Sequence, residues 1–157
     1  MREILFRGKR SDNGDWVEGG NIMITNQGKR VFIVPTGEYI DDCKTKTGRL
    51  ILVMPQVEII PETVGQYTGL TDKNGKKIFE GDIVRADDYI FVIQYGKCGG
   101  TPNADNHGYM GFYLEALSEG TKLCAKYGLR DDICYFTDIE VIDNIHDNLL
   151  LLKGGAK

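Results

Sequence analysis

The sequence predicts a mainly β protein built from two small modules with short strands, tight hairpins and little helix, joined near Gly65. Three observations carry this reading. Asn13-Gly14 and Asn74-Gly75 each lie between short β-prone runs, and Asn-Gly is the strongest short-range hairpin signal. Apolar runs are brief and stop at Pro35, Pro55 and Pro61, as strands do when the next residue lacks an amide donor. Twenty glycines among 157 residues favour frequent turns, and helical periodicity is weak throughout.

Taken in order, Glu3–Arg10 alternates apolar and polar residues as a first strand. Ser11-Asp12-Asn13-Gly14 turns the chain, and Trp16–Ile24 returns it, interrupted at Gly19-Gly20 by an expected bulge. Val31–Val34 is a short strand. Thr36–Arg49 is polar and reads as a surface excursion. Leu50–Met54 and Val57–Ile60 are apolar runs closed by proline, and Pro61–Gly65 connects the predicted modules, 1–65 and 66–157.

Gln66–Val84 is the most strongly specified stretch. It predicts a hairpin about Asn74-Gly75, with a type I′ turn because Asn and Gly accept positive φ at both central positions. Asp72 is placed to bond nearby backbone amides and reinforce the reversal. Glu80-Gly81-Asp82 then bends the chain into a strand starting at Ile83. The turn fails as a calcium loop, because Lys77 falls where glycine is required and Ile83 where glutamate is. Sliding the sequence by 61 positions lays Phe6–Ile22 on Tyr67–Ile83, with five identical and three similar pairs, including Asn13-Gly14 on Asn74-Gly75 and Gly20 on Gly81. This suggests a duplicated unit, though every tight hairpin demands the same residues.

Beyond it, Tyr89–Tyr95 is a nearly continuous β-branched and aromatic run, the pattern of a strand covered on both faces. Gly96–Gly111 reads as a long exposed loop and a natural place for function. Phe112–Leu117 is a strand, with a short helix as the alternative over Glu115–Tyr127. Ile133–Phe136 and Ile139–Ile145 are strands, Leu149–Leu152 a docking tail, and Gly154–Lys157 a frayed end.

Gln66–Val84, together with Arg2-Glu3-Ile4 and the closing Ile142-Asp143-Asn144-Ile145-His146-Asp147-Asn148, resembles the YopX family of phage and prophage proteins. Leu149 departs from the proline of that family's closing segment. The resemblance implies a phage-derived intracellular protein with small SH3-like β-barrel structure. It brings no catalytic residues to carry over.

Composition narrows the function classes. Hydrophobic residues make up 41% and charged residues 27%, ordinary for a globular chain. Residues 1–65 hold nine basic and nine acidic residues, and residues 66–157 hold ten and fourteen, which gives the net −4. Neither half is the basic surface expected of a protein held by phosphate contacts. No apolar run reaches a membrane span, and Met1-Arg2-Glu3-Ile4 lacks a signal-peptide core, so cytoplasmic residence without membrane contact is expected. Cys43, Cys98, Cys124 and Cys134 show no Cys-x2-Cys spacing and read as reduced, small hydrophobes. Neither a metal nor a cofactor is expected.

The acidic pairs Asp41-Asp42, Asp87-Asp88 and Asp131-Asp132 point to opposite faces if on strands, so adjacency makes no catalytic dyad. Neither serine sits in a nucleophile elbow. Three function hypotheses follow. The first is a non-enzymatic binding or adaptor module for an unidentified protein partner, self-associating through strand edges or the leucine tail. The second is nucleic-acid binding by a basic strip of Arg7, Lys9, Arg10, Lys73, Lys76 and Lys77. The third is an unrecognised metal-dependent hydrolase or metal protein using Cys98, His107 or His146, beside a metal site that Cys98, His107 and Cys134 could assemble.

Overall fold

The computed structural model describes residues 3–25, 29–36, 43–44, 50–51, 55–98, 109–117 and 138–148. These residues form strands β1 (Phe6–Lys9), β2 (Trp16–Thr25), β3 (Arg30–Pro35), β4 (Cys43–Lys44), β5 (Leu50–Ile51) and β6 (Val57–Ile59). A single 3-10 turn (Pro61–Thr63) follows. Then come β7 (Gly65–Thr71), β8 (Lys77–Phe79), β9 (Asp82–Ala86), β10 (Tyr89–Cys98), β11 (Tyr109–Ala116) and β12 (Ile139–Asn144). The protein is mainly β, and no described helix is long and apolar enough to cross a membrane. Strand order is β6-β3-β2-β1-β7-β8 in one sheet and β11-β10-β9-β12 in another, with β4 paired to β5 alone among the described residues. All pairings are antiparallel. By internal contacts the chain divides into Met1–Tyr67 and Thr68–Lys157.

In the first unit, Val31, Ile33 and Ile59 form a buried cluster under Phe6, Val17, Ile22 and Val64. The sheet is open among the described residues, so the barrel type implied by the resemblance is not established. The end of β1 nevertheless reaches β6. Arg10 bridges to Ile59, the Ser11 amide donates to the Glu58 carbonyl at 3.0 Å, and the Ile60 amide donates to the Lys9 carbonyl at 2.8 Å. Thr63 pins the same corner, its hydroxyl accepting from the Lys9 amide at 2.8 Å. These bonds satisfy the outer edge of β6, which would otherwise invite pairing with another chain. The predicted bulge lies between Gly19 and Asn21. Gly19 is required there because a Cβ would collide with the Val34 carbonyl and the Ile33 side chain.

In the second unit, Ile78, Val84, Ala86, Phe91, Ile93, Leu114, Ile139 and Val141 make the core. Each such burial is worth roughly 1.5–3 kcal/mol for the larger side chains. Phe91, Val92 and Ile93 are buried in succession, so β10 is covered on both faces there as its sequence predicts. The coverage stops at both ends, since Tyr89, Ile90 and Tyr95 are exposed.

Four readings are corrected or bounded. Gly96–Cys98 and Tyr109–Gly111 are not loop: they extend β10 and β11, paired Gly96↔Gly111, Lys97↔Met110 and Cys98↔Tyr109. Glu115 and Ala116 lie in β11 rather than a helix. The rest of that helix alternative, Ile133–Phe136 and the tail from Leu149 lie outside the described residues. Finally, Phe6–Ile22 and Tyr67–Ile83 do not run alike past their hairpins. β2 continues through Gly20, whereas Gly81, at φ +81°, ends β8 and sends the chain into the other sheet.

Candidate functional site

The central stretch supplies the most concentrated polar chemistry. In the β7–β8 hairpin the Asp72 amide donates to the Lys76 carbonyl at 2.8 Å, and the Gly75 amide donates to the Asp72 carbonyl at 3.0 Å. Gly75 has φ +81°, but Asn74 does not have positive φ. The turn is therefore a type I reversal closed by a left-handed glycine, not the type I′ turn expected from the dipeptide. A three-residue loop needs only one left-handed residue, and glycine takes it at no steric cost.

Asp72 reinforces this turn as expected and does more. One carboxylate oxygen accepts from the amides of Asn74 at 2.8 Å and Lys76 at 2.9 Å. The other reaches across the unit to the Val141 amide of β12 at 3.1 Å. Burial pushes the Asp72 carboxyl up, but the Val141, Lys76 and Asn74 amides, with the Lys76 charge, outweigh it and hold it below the usual carboxylate range. Beside it the Lys73 amide donates to the Ile139 carbonyl at 2.9 Å, and Lys73 Nζ pairs with Glu140 at 3.1 Å. The hairpin tip thus occupies the outer edge of β12.

A second buried acid works the same way. Asp82, 1% exposed, accepts from the Phe79 amide at 2.8 Å and faces the Asn144 carboxamide at 3.4 Å. The Gly81 amide donates to the Ile93 carbonyl, and the Ile145 amide donates to the Gly81 carbonyl. Asn144 in turn accepts from the His146 amide at 2.9 Å, and Asn148 donates to Asp143 at 3.1 Å. The central and closing motifs are therefore bonded to each other. Their carboxylates point at backbone amides, an arrangement that stabilises a fold.

The six basic residues fall into two groups. Arg7 and Lys9 alternate onto one face of β1 and lie 4.7 and 5.5 Å from the centroid of the Trp16 ring, within cation–π range. Arg7 is buried there. Arg10 turns away and grips Asp12 through two bonds, at 2.9 and 2.7 Å. Lys73, Lys76 and Lys77 share the β7–β8 hairpin, with Lys73 paired to Glu140. Trp16 was missed by sequence reasoning, although a hairpin register placing it opposite Lys9 would have found it. Among the hydrolase candidates, His107 and Cys134 lie outside the described residues. No group of three potential metal ligands occurs among the described ones.

A surface the sequence did not announce lies on the β10–β11 hairpin. β9 pairs with β10 only over Tyr89–Val92, while β10 and β11 continue together to Cys98 and Tyr109. Tyr95 and Phe112 meet edge-on at 5.2 Å, and Tyr95 is 50% and Met110 61% exposed.

A family model described as YopX protein matches residues 5–153. No curated protein matches the chain.

Proposed function

The chain belongs to the YopX family, and from that premise we propose that it is a non-enzymatic binding module of phage or prophage origin, acting on a protein partner in the host cytoplasm. The observation that supports this reading is the β10–β11 hairpin. It carries Tyr95, Phe112 and Met110 along the face that packs as core nearer β9, and leaves Tyr95 and Met110 open to solvent. Aromatic residues and methionine are enriched where proteins bind one another. The acids that would otherwise attract a catalytic reading, Asp72 and Asp82, are engaged by backbone amides. The small SH3-like barrel type implied by the resemblance belongs to this proposal as well.

Paired affinity captures from phage-producing cells test it, one with the wild-type chain and one with a Tyr95→Ser, Met110→Ser variant of matched stability. A partner held by the wild type should bind the variant about tenfold more weakly or worse, as loss of a hot-spot pair requires. Equal capture by both chains would overturn the assignment of this surface.

Nucleic-acid binding is the second reading, and the observation favouring it is the Arg7–Lys9–Trp16 group. Trp16 is the sole tryptophan, so its fluorescence reports directly on that face. Binding there predicts quenching by an oligonucleotide at low salt that reverses as salt is raised. An unchanged signal across the titration removes the reading.

A further inference from the structure

We propose that Asn74 is a site of spontaneous deamidation, and that the fold protects the equivalent Asn13. Asparagine is among the thermolabile residues, and both Asn-Gly pairs sit in exposed turns. In the reaction the backbone nitrogen of Gly75 attacks Cγ of Asn74. A carbon–nitrogen bond forms, the Cγ–Nδ2 bond breaks, and the amide proton leaves with ammonia. Water then opens the resulting succinimide at either carbonyl, giving aspartate or isoaspartate. Water is the only co-reactant.

The two turns form an internal comparison. The attacking nitrogens are equally engaged, Gly14 donating to the Arg10 carbonyl at 3.1 Å and Gly75 to the Asp72 carbonyl at 3.0 Å. Both glycines face open space on the side where a Cβ would stand. The carboxamides differ. Asn13 Nδ2 donates to Asp15 at 2.6 Å and Asn13 Oδ1 accepts the Asp15 amide at 3.0 Å, fixing the group under attack at both ends. Among the described residues, none bonds the Asn74 carboxamide. Flanking charge acts in the same direction. The nucleophile is the deprotonated amide, which nearby cations favour and anions oppose. Lys73 and Lys76 flank Asn74, whereas Asp12 and Asp15 flank Asn13. The Lys73–Glu140 and Arg10–Asp12 pairs each cancel one of these charges, which leaves Lys76 beside Gly75 against Asp15 beside Gly14, and the Asp72 carboxylate is shared among three amides.

The consequence falls on the hairpin tip that holds β12. Isoaspartate adds a backbone carbon to a three-residue loop, and either product adds a negative charge beside Asp72. Conversion at Asn74 therefore loosens the contact between the hairpin and β12 as the protein ages, independently of any partner.

The experiment incubates the purified full chain at mildly alkaline pH and follows both Asn-Gly peptides by mass mapping with isoaspartate detection. Native wild type should convert Asn74 several-fold faster than Asn13, and Asp15→Ala should raise Asn13 conversion towards the Asn74 rate. The unfolded chain should bring the two rates closer together. Equal native rates, a faster Asn13, an Asn74 that stays intact while the unfolded chain converts, or an Asp15→Ala variant with Asn13 unchanged would each overturn the proposal.

Discussion

Among the described side chains Asp72 concentrates the most architecture, because one carboxylate satisfies three amides, one of them 69 residues away in sequence. Hydrogen bonds to a charged group are each worth roughly 1.5–3 kcal/mol, and a buried amide left without a partner costs a similar amount. Asp72→Ala is therefore expected to lower unfolding stability by about 3 kcal/mol, measurable by urea denaturation, against a typical total of about 5–15 kcal/mol. The pH dependence has a definite sign. The folded carboxyl titrates below its ordinary value, so its contribution is complete above about pH 4 and is lost as pH falls through the folded value. Stability of the wild type should decline on acidification below that point more steeply than stability of Asp72→Ala. The turn-capping role of Asp72 was legible, since aspartate before a tight reversal bonds local amides. Its bond to Val141 was not, because nothing in a linear pattern fixes which distant strand edge a hairpin tip will meet.

At the scale of elements, strands and their breaks were legible from proline, glycine and apolar runs, while turn geometry was not. Asn74-Gly75 and Asn13-Gly14 each put only the glycine at positive φ, since loops longer than two residues relieve asparagine of that demand. The β9–β10 connection shows the converse. Ala86 pairs with Tyr89, leaving Asp87-Asp88 as a two-residue turn in which Asp87 takes φ +52°. An L-residue in that region costs roughly 1–2 kcal/mol, with aspartate at the lenient end. Replacing Asp87 with Gly should raise the thermal midpoint, by about 0.5–1 kcal/mol of stability after glycine's larger unfolded-state entropy is subtracted. A fall in the midpoint would mean that the Asp87 side chain contributes more than its backbone costs. The length of β10 and β11 was hidden because Gly96, Gly100 and Gly111 look like loop. In the strand Gly96 lies under Tyr113, whose ring would sit 3.3 Å from a Cβ there.

Across the whole molecule, the mainly β class and family membership were readable, while the similarity of the two Asn-Gly stretches left a duplication open. The similarity of Phe6–Ile22 to Tyr67–Ile83 matches β1 with β7, which are neighbours in one sheet. Strand order gives a different equivalence. β1 lies between β2 and β7 with β3 outside β2, and β9 lies between β10 and β12 with β11 outside β10. β1 and β9 thus each lie between the strand that follows and a later one, a likeness that the 61-residue alignment does not track. On this account the family's central and closing motifs are a fastening within the second unit, and recognition of a partner lies on other surfaces. Native-state hydrogen exchange at the Val141 amide tests that most directly, comparing wild type with Asp72→Ala. The account predicts that Val141 exchanges as slowly as the core amides of β9 in the wild type, and that the variant loses this protection at Val141 and at the Lys73 amide, which donates to the Ile139 carbonyl, while β9 and β10 keep theirs. Equal protection of Val141 in both proteins would contradict it.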